Sequence, residues 1–142
     1  MKKTFLKKQE GAAAVEFAIV LPLLLLVVFG IIEFSAILYD KAMITNASRE
    51  GARSGIVWRP TEPERLSVGE IQAVVNNYLQ DHLINFGSSS VPVVTVNGAG
   101  NEENQPLTVT INYRYNFLVL PKVAESLGAG LDLSARTIMR ME

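Results

Sequence analysis

From Ala12 to Tyr39 almost every residue is apolar or small, and Glu16 and Glu33 carry the only charges. The run from Phe17 to Ile32 has none. At about 1.5 Å of rise per residue, a helix over this stretch reaches membrane-spanning length. Pro22 is its one helix breaker, tolerable inside a bilayer helix as a mild kink. The pattern predicts a span over about 12–33. A buried helix of a globular core is the competing reading, but the rest of a 142-residue chain is too small to wrap so long an apolar helix.

The helical pattern continues past Tyr39. "DKAMITNASREGARSG" contains no proline, and its first turn-like residues are Gly51 and Gly55. Ala47, Gly51 and Gly55 fall four apart and therefore share one helical face. A small-residue row of this kind allows another helix to approach closely. The alternative is that the glycines fray the helix end, because glycine weakens a helix interior by roughly 1 kcal/mol. Arg49, Glu50 and Arg53 fall on the solvated sides. A continuous helix from about Ala12 to about Arg53 would be roughly 60 Å long. That is about twice what a bilayer requires, and it suits a protein that bundles.

"WRPTEPERL", polar and with two prolines, reads as a linker. "SVGEIQAVVNNYLQDHLINFG" reads as an amphipathic helix ended by Gly87, with Ser67 and Glu70 spaced as a capping box. Ile71, Val74, Val75, Tyr78 and Leu79 form its apolar side, with Gln72, Asn76, Gln80 and Asp81 largely opposite. The period then changes to two. "VPVVTV" is a short strand, which Pro92 favours at a sheet edge. "LTVTINYRYNFLVL" alternates from Leu107 through Val119 as a half-buried strand. "PKVAESLG" predicts a short helical turn, begun by Pro121 and closed by Gly128. "LDLSARTIMRME" alternates again, with Leu131, Leu133, Ala135, Thr137 and Met139 on one side.

These patterns predict a single-span membrane protein, in which a long N-terminal α-helix precedes a small α+β domain with an antiparallel sheet of about three strands. The predicted divisions are a leader over 1–11, the span with its extension over 12–55, a linker over 56–66 and the small domain over 67–142. A core of that size is modest.

Charge sets the orientation. Lys2, Lys3, Lys7 and Lys8 precede the apolar run, while Asp40 and Lys41 follow it. The basic side is therefore expected in the cytoplasm and the remainder outside it. A cleaved secretory signal would need a shorter apolar stretch ending at a small-residue site, and here helical character continues instead. Residues 1–11 hold four of the thirteen basic and one of the fourteen acidic residues, which leaves nine against thirteen beyond them. Nothing there forms a basic stripe for nucleic acid.

No chemistry-bearing constellation is present. The chain has no cysteine and one histidine, His82, expected as a surface or half-buried structural residue. There is no nucleophile elbow, phosphate loop or metal-spaced cluster, so no catalytic, cofactor or metal residues are assigned. "NEEN" lacks the alternating ligand spacing of a calcium loop and reads as a solvated turn. "NAS" at Asn46 matches a glycosylation sequon but lies within a predicted helix. "INYRYNF" clusters aromatics around Arg114, and core packing by the tyrosines is the commoner use of such a strand.

Glu16 requires an explanation, because a lone ionised carboxylate in hydrocarbon is costly and intramembrane charges have partners. It is the fifth residue after Gly11, and Gly11 closes the basic stretch. "KKQEGAAAVEFAIVLP" resembles the processing segment of type IV pilin-like proteins. Together with "GIIEF" and "ASREGAR", it resembles the TadE-like family, pseudopilins or minor pilins of the tight-adherence (Tad, or Flp) type IVb pilus system. The similarity runs over roughly 8–55. It implies a prepilin peptidase that cuts between Gly11 and Ala12, where only a minimal side chain fits before the cut. It implies that Glu16 neutralises the new amino terminus on a neighbouring subunit, since carboxylate and ammonium can share a low-dielectric site that penalises either alone. Alanine at the new terminus, where the major pilins carry phenylalanine, argues against a major pilin. Other pilins or pseudopilins of the Tad system, the inner-membrane assembly platform and membrane lipid are the further implied partners, with Ala47, Gly51 and Gly55 as the assembly face. The alternative is a membrane-anchored extracytoplasmic binding or scaffold protein that never enters a filament.

Overall fold

The computed structural model describes residues 3–60, 65–85, 90–100, 105–117 and 130–140, with backbone alone for 3–10. Its elements in chain order are α1 (Lys3–Ile56), α2 (Val68–Leu79), β1 (Val93–Asn97), β2 (Pro106–Tyr115) and β3 (Leu131–Arg140). The chain divides into two compact units, Met1–Ser35 and Ala36–Glu142. Helix α1 supplies the described part of the first unit and the opening element of the second. The small domain thus begins at Ala36, drawing in a helix segment that the sequence division assigned to the span's extension.

In the first unit, the large apolar side chains from Val15 to Phe34 are exposed, save for a half-buried Leu21, and Ile19 reaches 72%. Glu33 is buried. The helix passes through Pro22 without interruption. It also begins earlier than the predicted span, at Lys3, because Lys, Gln, Glu and Leu are good helix formers and no proline precedes them.

The second unit is one core. Strands β1, β2 and β3 form an antiparallel sheet in that order, with Val94 opposite Ile111 and Ile111 opposite Ala135. Alternation fixes which face is buried. Leu107, Val109, Ile111, Tyr113 and Tyr115 of β2, Val96 of β1, and Leu133 and Ala135 of β3 are buried, while Asn112, Arg114, Ser134 and Arg136 are exposed on the other face. Onto the apolar face pack Ile71, Val75 and Leu79 of α2 and Ala36, Ile44, Ala47 and Ala52 of α1. Burying an aliphatic side chain of this size contributes about 1.5–3 kcal/mol. Leu131, expected inward, is 40% exposed at the start of β3.

Helix α2 starts as its sequence predicts. Ser67 Oγ accepts from Glu70 N at 3.4 Å, and Ser67 N donates to a Glu70 carboxylate oxygen at 2.8 Å, closing the capping box. The helix ends at Leu79 rather than near Gly87. Gln80 adopts ψ 128° and Asp81 a left-handed φ of 64°, so the chain turns there and brings Leu83 and Ile84 against the core. Strand β2 similarly stops at Tyr115. The predicted turn over 121–128, the "NEEN" loop and Val119 lie outside the described residues. At the end of β1, Gly98 has φ 77°, and a Cβ there would stand 2.6 Å from Pro106 O, so this turn requires glycine.

Candidate functional site

The residues singled out by the sequence fall in two places on α1. Gly11, Ala12 and Glu16 lie in its first unit, all exposed, and no atom stands within 4 Å of where a Cβ on Gly11 would be. The alanine run begins directly after Gly11, so the residues on the C-terminal side of the Gly11–Ala12 bond are small, while Gln9 and Glu10 precede it.

Ala47, Gly51 and Gly55 lie in the second unit, and all three are buried. Both glycines are within the helix, Gly55 one residue before its end, and both are closely packed. A Cβ on Gly51 would overlap Val75 Cγ2. One on Gly55 would stand 2.5 Å from Leu107 Cδ2 and 2.7 Å from Ile71 Cδ1. What approaches the row is therefore α2 and β2 of the same chain, and within the folded domain the row is filled.

The same face of α1 carries polar anchors that sequence reasoning passes over. Asp40 is fully buried, and its Oδ1 accepts from the backbone N–H of Ile84 at 2.8 Å. Among the described residues, its other oxygen and the buried Tyr113 hydroxyl find no hydrogen-bond partner. Burial pushes the Asp40 carboxyl above the ordinary aspartate range, partly offset by the Ile84 N–H. Burial, and then the nearby Asp40 charge, pushes the Tyr113 hydroxyl up as well. Ser48, also buried, shares a 2.7 Å hydrogen bond with Thr137 of β3 and donates to Thr45 O. Lys41 Nζ donates to Ser134 O. Gln72, expected on the solvated side of α2, is half-buried instead and donates to Val94 O at 3.0 Å. The backbone carbonyls of β1 and β3 thus each hold a side chain from a helix.

A signal for Asp40 is present in the spacing. Stepping the small-residue row back from Ala47 in three- and four-residue steps leads through Ile44 to Asp40 and Ala36, all buried. Arg53 instead makes a bidentate pair with Glu50, at 2.8 and 3.0 Å, on the exposed side. His82 is exposed, lies 6.3 Å from the Tyr78 ring and bonds Gln80 O. Tyr113 and Tyr115 are core residues, while Arg114 reaches Asp132 at 3.4 Å on the outer face. Among the described residues no group of three His, Cys, Asp or Glu is placed to hold a metal ion.

Among the described residues one helix is long and apolar enough to cross a membrane, and its later part belongs to a small antiparallel-sheet domain; together they define the class, a long apolar N-terminal helix followed by a small α+β domain, without a catalytic constellation among the described residues. The family model for TadE-like protein matches residues 11–53. The matched residues all lie within α1, and the rest of the chain lies outside the match. No curated protein matches the chain. No solved structure matches it either.

Proposed function

We propose that this protein is a non-enzymatic pseudopilin or minor pilin that takes part in assembling a tight-adherence (Flp/Tad) pilus or a related secretion apparatus. The observation that carries the reading is the TadE-like match over 11–53, laid on a helix whose apolar side chains from Val15 to Phe34 are exposed. Such a surface is unfavourable in water and favourable in lipid. In this reading α1 crosses the inner membrane once, with residues 1–11 cytoplasmic and the domain from Ala36 extracytoplasmic. A prepilin peptidase cuts between Gly11 and Ala12. Glu16 then pairs with the new ammonium group on a neighbouring pilin or pseudopilin, and the inner-membrane platform handles the cut chain. Ala47, Gly51 and Gly55 serve assembly by letting α2 and β2 close onto α1, which fixes the domain to the helix that assembles.

Intact-mass spectrometry of the membrane-extracted chain, with and without the peptidase, tests the reading. The expected product lacks residues 1–11. Gly11→Phe is expected to remain uncut, because a bulky side chain blocks the extended peptide in the protease. Glu16→Ala is expected to be cut and inserted yet absent from pili, because its partner amine exists only after cleavage. An uncut chain starting at Met1 in pilus-producing cells would overturn the proposal and leave a membrane-anchored binding or scaffold module.

A further inference from the structure

The turn after β1 requires a glycine at residue 98, where φ is 77° and a Cβ would stand 2.6 Å from Pro106 O. The residue before it is Asn97, so the fold sets an obligatory glycine directly after an asparagine. No other asparagine in the chain precedes a glycine. Asn97 is exposed, and among the described residues its side chain has no hydrogen-bond partner. The fold therefore needs Gly98 and makes no visible use of the Asn97 amide.

An asparagine followed by glycine has a chemistry of its own. The side-chain carbonyl carbon of Asn97 is an electrophile within ring-closing reach of the Gly98 backbone nitrogen, which no Cβ shields. Attack forms a bond from Gly98 N to Asn97 Cγ and breaks the Cγ–Nδ2 bond. The Gly98 amide proton is given up, and Nδ2 leaves as ammonia. Water then opens the resulting succinimide at either carbonyl. Opening at Cγ gives aspartate, and opening at the backbone carbonyl gives isoaspartate, in which the main chain runs through the former side chain. Water is the only co-reactant.

Ring closure needs the Asn97 ψ to leave the extended region, and pairing with Thr108 opposes this. Asn97, however, is the last residue of a five-residue edge strand, where the ladder stops and local opening costs least. Other exposed asparagines lack that combination. Asn46 lies inside α1, Asn77 inside α2 and Asn112 inside the central strand β2, each followed by a residue with a Cβ. We propose that Asn97 is a self-modification site, converted in the folded protein to aspartate and isoaspartate through a succinimide on the Gly98 nitrogen. The product places a carboxylate in the row of Thr108 and Ile138, on the sheet face that also carries Arg136.

The test ages the full chain in detergent micelles in mildly alkaline buffer and follows it by peptide mapping, with isoaspartate read by enzymatic methyl transfer. The mass gain of an amide turned carboxylate is expected at Asn97 about tenfold or more faster than at Asn46, Asn77 or Asn112, a barrier lower by about 1.4 kcal/mol. Part of the product is expected as isoaspartate. Asn97→Gln, which must close a larger ring, is expected to lose the early mass gain at this position. A parallel sample in urea separates the dipeptide from the fold. Conversion at Asn97 in urea but not in the folded chain would overturn the proposal. So would equal rates at all the asparagines followed, or aspartate at Asn97 without any isoaspartate, which would mean direct hydrolysis of the side chain.

Discussion

The glycines of α1 allow a test in which helix propensity and packing pull in opposite directions. Replacing glycine by alanine inside a helix gains about 1 kcal/mol when nothing else changes. Gly69, in the first turn of α2, is that case, since a Cβ added there would meet no atom within 4 Å. Gly69→Ala is therefore expected to stabilise the domain by up to about 1 kcal/mol. At Gly51 the new methyl would overlap Val75 Cγ2 and stand 3.6 Å from Ile71 Cγ2 and Val109 Cγ1. Val75 is fully buried and β-branched, so it cannot swing aside at little cost. Overpacking of this kind costs about 1–3 kcal/mol, and against the propensity gain the net expectation for Gly51→Ala is a loss of up to about 2 kcal/mol. Gly55→Ala is expected to lose stability as well, because the new methyl would meet Leu107 Cδ2 and both Cδ1 and Cγ1 of Ile71, side chains buried as fully as Val75. Thermal unfolding of the full chain in detergent micelles reads the order directly, at about 4–8 °C per kcal/mol for a domain near this size. Combining Gly51→Ala with Val75→Ala supplies the check, since the double variant should lose less than the sum of the singles, by about 0.5 kcal/mol or more. A Gly51→Ala protein that melts above the parent, as Gly69→Ala should, would refute the packing assignment.

Two further expectations follow from the polar contacts. The folded-state Asp40 carboxyl is raised above its ordinary value, so the folded chain binds that proton more readily than the unfolded one and Asp40's contribution to stability is largest in acid. It declines as pH rises through the ordinary carboxylate range towards the raised value. Asp40→Asn should remove that slope in denaturant midpoints measured from about pH 4 to 7, and an unchanged slope would refute the assignment. Ser67→Ala removes the acceptor of the Glu70 N–H and is expected to cost about 1 kcal/mol, read as a lower melting temperature; no change would mean that the capping box does not hold the start of α2.

The elements are legible where one periodicity runs unbroken, and the contacts between them are not. The alternation in Leu107–Tyr115 gives both the strand and its buried face, because a pleat leaves each side chain only two directions. The row Ala47, Gly51, Gly55 is equally plain, yet spacing names a face without naming what covers it. Only the tertiary structure sets α2 and β2 on that row, and a small-residue row in water can serve a chain's own core as readily as a neighbour in lipid. The helix end at Leu79 escapes the sequence for a related reason. "QDHLINFG" offers Leu83 at helical spacing from Leu79, with Ile84 directly after it, so the apolar pattern runs on past the true end. The left-handed Asp81 breaks the helix while still delivering those two residues to the core.

Asp40 shows how far such reasoning extends once the row is followed to its start. As a charge just beyond an apolar run, it reads as a marker of the membrane boundary, and solvent exposure is the default for an acid. As a member of the inward face of α1, it must be buried by the same geometry that buries Ile44 and Ala47, and a buried carboxylate must find donors. The donor it finds is the Ile84 N–H, a backbone group released because α2 stops at Leu79. The early end of α2 and the burial of Asp40 are therefore one structural event. The turn that breaks α2 frees the Ile84 N–H, and that N–H meets part of the desolvation cost of the acid. Within the second unit, the part of α1 from Ala36 onward thereby carries its own polar anchor, and it is held to the turn after α2 by a hydrogen bond as well as by packed methyl groups.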